Sequence, residues 1–188
     1  MKQLCVEYGY TSLNHYGEEL CGDNVEMTSD GEWTTLVLAD GLGSGVKANI
    51  LSTLTSKILC TMVAGGADIE DCVGTIIQTL PVCKERGVAY STFSIIHVNE
   101  EGRGHLFEFD NPEAIWYHRG KTCDFPRSEM TVFDKRVFVT ELALDEGDMV
   151  FVMSDGTIHA GIGQMLNFGW QRKDIMEHLD RNIDAHMS

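Results

Sequence analysis

Two apolar runs that each stop on an Asp-Gly pair restrict this chain more than any other feature. The first is Leu36-Val37-Leu38-Ala39-Asp40-Gly41-Leu42-Gly43-Ser44-Gly45, and the second is Met149-Val150-Phe151-Val152-Met153-Ser154-Asp155-Gly156. Short apolar runs bounded by turn residues predict buried strands. A strand that ends on Asp carries a hard oxygen ligand to the rim of a sheet. Two such strands side by side bring carboxylates together, which is unfavourable unless one holds a proton or a cation lies between them. The pattern points to a divalent-metal site and to metal-assisted hydrolysis, with Asp40 and Asp155 as the residues that carry the chemistry.

The rest of the chain supplies elements for these strands to join. Leu4 to Thr11 reads as a strand and Asn14 to Gly22 as a polar loop. Asn24 to Thr28 and Trp33 to Ala39 read as strands joined by the turn Asp30-Gly31. That hairpin would carry Asp23 toward Asp40. From Ser44 the period changes: Val46, Ile50, Leu51, Leu54, Ile58, Leu59 and Met62 recur at three and four, predicting one inward helix face, and Gly65-Gly66 ends it. Asp68 is an N-cap for a second helix with Ile69, Val73, Ile76, Ile77 and Leu80 inward, stopped at Pro81. Strands follow at 89–98, 104–110, 114–119, 137–142 and 149–154, then an amphipathic helix from Arg172 to about Asn182. Strands, two helices, more strands and a final helix suggest an α+β layered sandwich in one domain covering 1–188.

Three readings compete for the loop that begins at Asp40. A dinucleotide turn fails because Val46 fills the place of the third fingerprint glycine and an Asp at the head of the loop repels a pyrophosphate. Turn formation alone accounts for Asp and Gly. A metal loop uses the carboxylate and the next carbonyl as ligands for Mg²⁺ or Mn²⁺, and the second Asp-Gly strand favours it. Ser154-Asp155-Gly156-Thr157 also resembles a haloacid-dehalogenase nucleophile loop, but Met153 fills the nucleophile position.

Charge and cysteine usage narrow the partners. Fourteen basic and 29 acidic residues give a net charge of −15, which argues against nucleic acid and anionic membranes. No apolar run approaches the ~20 residues of a membrane span. The six cysteines form no C-x-x-C pair or zinc spacing, and reduced thiols in a cytoplasmic protein are expected. No secretory signal is expected at the N-terminus. The seven histidines lack metal spacing, and His159, just after Asp155, is a candidate for touching substrate.

The motifs together resemble the metal-dependent protein phosphatase (type-2C serine/threonine) family, in its bacterial SpoIIE-like branch. Leu20-Cys21-Gly22-Asp23 is similar to the first motif, and Asp40-Gly41-Leu42-Gly43-Ser44-Gly45 to the D-G-x-G-x-G motif. Tyr90-Ser91-Thr92-Phe93 with Asn111-Pro112 resembles the central hairpin, and Gly147-Asp148 through Ser154-Asp155-Gly156 the last segment. The resemblance implies a four-layer α-β-β-α sandwich of mainly antiparallel sheets and a two-ion Mn²⁺ or Mg²⁺ centre. It implies Asp40 as the bridging ligand, the Gly41 carbonyl and Asp155 as further ligands, and Asp23 binding directly or through water. It implies attack on phosphorus by a water shared between the ions, with Asn111 near the phosphate. The implied substrate is a phosphorylated regulatory protein of anti-sigma-antagonist type.

Departures from the family shape the expectation. Leu42 stands where the eukaryotic branch has a His, and Glu18-Glu19 where it has a phosphate-clamping Arg. The family's terminal Asp ligand has no counterpart after Arg172, and Asp174, Asp180 and Asp184 read as a solvated helix face. The chain is therefore expected to be a C-terminally truncated piece, lacking its last strand or strands, with one incomplete metal site and weak activity. The rivals are a catalytically silent binding module on the same fold and a hydrolase of small phosphoesters.

Overall fold

The computed structural model describes residues 3–80, 91–162 and 167–187, without the side chains of 184–187. Its first sheet grows from the predicted hairpin. Asp30 Oδ1 accepts the N–H groups of Glu32 and Trp33 at 3.0 and 2.8 Å, and Gly31 takes φ +97°. This tight turn joins β1 (Asp23–Ser29) to β2 (Trp33–Gly41). Two helices follow, α1 (Gly45–Ala64) and α2 (Ile69–Thr79), then β3 (Ser91–Asn99) and β4 (Arg103–Phe109). Three short strands come next, β5 (Ile115–His118), β6 (Lys121–Asp124) and β7 (Ser128–Val132), before β8 (Lys135–Ala143) and β9 (Met149–Phe151). The described chain ends with α3 (Asp155–His159) and α4 (Arg172–Met187).

All strand pairs are antiparallel. One sheet runs β1-β2-β3-β4-β8-β7 and a smaller one β6-β5-β9. Alternation along β2, β3 and β4 sends Val37, Ala39, Phe93, Ile95, Phe107 and Phe109 to one face, where they pack with Leu59, Cys60, Val73 and Ile76 of α1 and α2. Fully burying each of these large side chains contributes about 1.5–3 kcal/mol. The other face offers Leu106, Leu142 and Ile96 to Trp116, Phe125, Val150 and Val152. The small sheet is pinned at its β9 entrance by Asp148, which accepts from Trp116 Nε1 at 3.1 Å and pairs with His118 Nδ1 at 2.7 Å.

Several expectations hold. Asp68 caps α2 by accepting from Glu70 and Asp71, and Ile69, Val73, Ile76 and Ile77 are buried. Gly66 with φ +84° lets the chain leave α1. Pro81 and the first residues of the strand expected at 89–98 lie outside the described residues. Cys5, Cys21, Cys60, Cys72 and Cys123 are free thiols. Among the described residues no helix is long and apolar enough to cross a membrane.

Other expectations are corrected. Among the described residues Leu4 to Thr11 forms no strand, and Leu4 N–H donates to Glu100 O at 2.7 Å. Its alternating side chains Val6, Tyr8 and Tyr10 are exposed. A strand needs a partner edge as well as propensity. The inward face of α1 is corrected in part: Leu59 is buried and Met62 packs on the core as expected, but four other members of the expected face are exposed. Val46, Ile50, Leu54 and Ile58 are 63%, 52%, 53% and 44% exposed, while Ala48, Ser52, Thr55 and Ser56 are buried with Leu59 and Cys60. The reason is the close approach of α1 to β2: a Cβ on Gly41 would lie 2.0 Å from the Ala48 carbonyl oxygen. Only small side chains fit in that gap, and Ser56 meets its polar needs by accepting from Asn24 Nδ2 at 2.7 Å.

Candidate metal centre

The carboxylates meet because of strand register. Asp23 pairs directly with Asp40 across β1 and β2, and Asp40 pairs with Thr92 across β2 and β3. Directly paired residues project to the same face, here the one opposite α1. After Asp40 the chain turns sharply into α1. Gly43 and Gly45 take φ +102° and +67°, a region that L side chains seldom adopt. Gly41 N–H donates to Gly22 O at 3.2 Å, tying the loop to the residue before Asp23.

Asp155 arrives from the other sheet as the first residue of α3. Its neighbour Ser154 is buried and donates from Oγ to Asp23 Oδ2 at 2.7 Å, stitching the end of β9 to the start of β1. Asp40 lies between the other two acids. Burial first, then repulsion from Asp23 and from Asp155, pushes its carboxyl up from 3.8 to about 8. Hydrogen bonds to both neighbours also favour its protonated form. Without a cation, one proton on Asp40 relieves the crowding of three acids.

Among the described residues, no group of three or more His, Cys, Asp or Glu side chains is arranged to hold an ion as it stands. What the structure gathers is carboxyl on carboxyl, with Asp40 shared. The donor chemistry fits a hard divalent ion: carboxylate oxygens in a crowded, partly buried setting, with a backbone carbonyl following at Gly41. An ion there would relieve the same crowding that pushes the Asp40 carboxyl up.

The other predicted residues fall around this trio. Asn111, in the loop after β4, accepts from Thr92 Oγ1 at 2.5 Å and donates from Nδ2 to Ser94 Oγ at 3.0 Å. Through Thr92 it is one step from Asp40. His159 is well exposed, with Nδ1 3.8 Å from Asp155 Oδ2. The expected solvated face of α4 holds for exposed Asp174, which accepts from Gln171 N–H at 3.2 Å, and is corrected for half-buried Asp180, which accepts from Thr122 N–H at 2.6 Å and Oγ1 at 3.1 Å. Both acids are engaged in docking and capping, and the Asp184 side chain lies outside the described residues. Asp148 of the last motif serves β5 in the same way. Thr92 and Ser154 were the unrecognised members. Each sits beside a quoted Asp motif or in its register, but only pairing reveals the contact.

Comparison with known proteins matches this picture. The family description Stage II sporulation protein E (SpoIIE) matches residues 30–187. No curated protein matches. The PP2C phosphatase domain and regulatory-domain fragment of SpoIIE from Bacillus subtilis superimposes with TM-score 0.71 and 19% identity, over 92% of this chain and 49% of that one. The RsbU and RsbW domains of a Mycobacterium tuberculosis protein give 0.68 and 15%, over 90% and 48%. RsbX in complex with magnesium gives 0.61 and 20%, over 91% and 84%. The chain thus spans about half the length of the first two. A match over most of the chain, on an α+β fold with antiparallel sheets like those of PP2C domains, makes it a member of the SpoIIE family of PP2C-type phosphatase domains, in the SpoIIE/RsbX-like bacterial branch.

Proposed function

We propose that this protein is a metal-dependent phosphatase that hydrolyses phosphoserine or phosphothreonine on a regulatory protein. The observation that carries the reading is the convergence of Asp23 and Asp155 on Asp40, whose carboxyl their crowding helps push up. Asp23, Asp40, Asp155 and the Gly41 carbonyl would hold two Mn²⁺ or Mg²⁺ ions, a choice supported by the magnesium in the RsbX structure. Such ions supply charge neutralisation and an activated water for in-line attack at phosphorus. Asp40 would bind such ions as the carboxylate. Asn111 has one amide N–H beyond its bonds to Thr92 and Ser94, available to a phosphate oxygen. His159 stands at the exposed rim, where a protein-borne residue would enter. The two apolar clusters on opposite faces of the large sheet support a four-layer α-β-β-α arrangement in one domain. We also place the protein in the cytoplasm, with a phosphoprotein as partner and neither nucleic acid nor membrane.

A second reading, a silent binding module, is favoured by one observation. Among the described residues no carboxylate of α4 joins the trio. Turnover of p-nitrophenyl phosphate, free phosphoserine and a phosphoserine protein with and without Mn²⁺ separates the two. Mn²⁺-dependent turnover that prefers the phosphoprotein and disappears in Asp40→Asn is expected. Calorimetric Mn²⁺ binding without turnover on any of the three substrates selects the module.

A further inference from the structure

The loop that carries Asn111 is held from three directions, and its heaviest restraint comes from α4. Leaving β4, Asp110 takes φ +54°, a left-handed conformation for a non-glycine residue. Ala114, fully buried at the far end, donates its N–H to buried Glu108 Oε1 at 2.7 Å. Arg127 Nη2 lies 3.1 Å from the Glu113 carboxylate. Arg172, the first residue of α4, then spans the loop. Its Nη1 donates to Glu113 O at 2.5 Å and its Nη2 to Ala114 O at 2.7 Å. Nε and Nη2 of the same guanidinium donate to Asp124 Oδ1 of β6 at 2.9 and 2.8 Å.

The first turn of α4 also reaches the segment that carries Asp155. Buried Ile175 and Arg172 line a small apolar cavity of about 70 Å³ with Pro112 of the loop, Met153 just before Ser154, and Ile158 of α3. One turn of helix therefore bonds the Asn111 loop and faces Ile158 of the Asp155 helix across this cavity.

We infer that Arg172 is a positioning residue for the candidate centre, fixing the loop that presents Asn111 by binding two consecutive backbone carbonyls. What the loop serves rests on the phosphatase reading, while the clamp itself rests on the hydrogen bonds. The guanidinium is suited to this because its planar fork meets two carbonyls and a carboxylate at once, whereas an ammonium acts as a point donor.

The test uses Arg172→Gln, Arg172→Lys and, as a control, Asp180→Asn, which loosens α4 from Thr122 without touching the loop. Amide hydrogen exchange in the metal-free protein is the first readout. Arg172→Gln is expected to speed exchange across 110–115 by about tenfold or more, with β2 and α1 unchanged, as local opening requires. Arg172→Lys retains the fast exchange and Asp180→Asn lacks it. The second readout is Mn²⁺-supported hydrolysis of p-nitrophenyl phosphate. Arg172→Gln is expected to raise KM roughly fivefold while the half-saturating Mn²⁺ concentration moves less than twofold. Unchanged loop exchange in Arg172→Gln, full recovery in Arg172→Lys, or the same acceleration in Asp180→Asn overturns the inference. Absence of wild-type turnover removes the phosphatase reading instead, and the exchange result still decides the clamp.

Discussion

Replacing Asp40 by Asn should make the metal-free protein more stable at alkaline pH while ending its response to Mn²⁺. The sign follows from proton counting. Between about pH 4 and pH 8 the folded metal-free protein keeps a proton on Asp40 that the unfolded chain has lost. Stability therefore falls as pH rises through that window and levels off above it. The displacement from 3.8 to about 8 corresponds to about 6 kcal/mol if fully expressed. Asp40 is only half-buried, so solvent screening reduces the penalty, and about 2 kcal/mol is expected. Asn supplies a permanent N–H donor toward Asp23 and Asp155 and removes the third charge. For a chain of this size the gain is about 4–8 °C in Tm. The assay is thermal unfolding in EDTA at pH 5 and pH 9, repeated with Mn²⁺. At pH 5 wild type and Asp40→Asn should melt together. At pH 9 the variant should melt higher, and Mn²⁺ should raise only the wild type. Equal melting temperatures at pH 9 in EDTA would refute the crowded-carboxylate argument.

Two further substitutions probe the surroundings. Gly41→Ala puts a Cβ 2.0 Å from the Ala48 carbonyl oxygen, so α1 must move; a loss of about 3 kcal/mol or more is expected in urea unfolding, and an unchanged midpoint would contradict the packing. The shifted inward face of α1 predicts that Leu54→Gln changes stability by less than about 0.5 kcal/mol, whereas Leu59→Ala costs about 2–5 kcal/mol. Comparable losses for both, read from chemical denaturation, would restore the face expected from periodicity.

The meeting of Asp23 and Asp40 was legible because it is local and strongly patterned. Asp30-Gly31 set the hairpin register, and that register alone brought Asp23 opposite Asp40. The repeated apolar run before Asp-Gly marked Asp155, although the strand expected at 149–154 stops at Phe151 and Asp155 opens α3 instead. Misreadings came where tertiary context overrides pattern. The spacing of Val46, Ile50, Leu54 and Ile58 correctly announced a helix, but which side meets the sheet depends on the approach permitted beside Gly41. Leu4 to Thr11 alternates as a strand should but pairs with no strand among the described residues. β6 and β7, with sequences KTCD and SEMTV, lack apolar alternation and exist through pairing with β5 and β8. α3 is too short to show a period. The roles of Asp180 and Arg172 depend on side-chain contacts 58 residues distant in sequence, which no local pattern encodes.

The hydrogen bond from Ser154 to Asp23 has a bearing on how the chain matures. Asp23 and Asp40 are neighbours as soon as the first hairpin closes, so their mutual repulsion exists from an early stage. Asp155 and Ser154 arrive only when β9 has been made and the second sheet has settled on the first. A divalent ion would thus have few ligands to grip in a half-built molecule and its full set only in the finished one. If the chain takes up metal as proposed, binding would be a late seal on assembly, and withdrawing the ion should loosen the junction between the sheets before it disturbs either one.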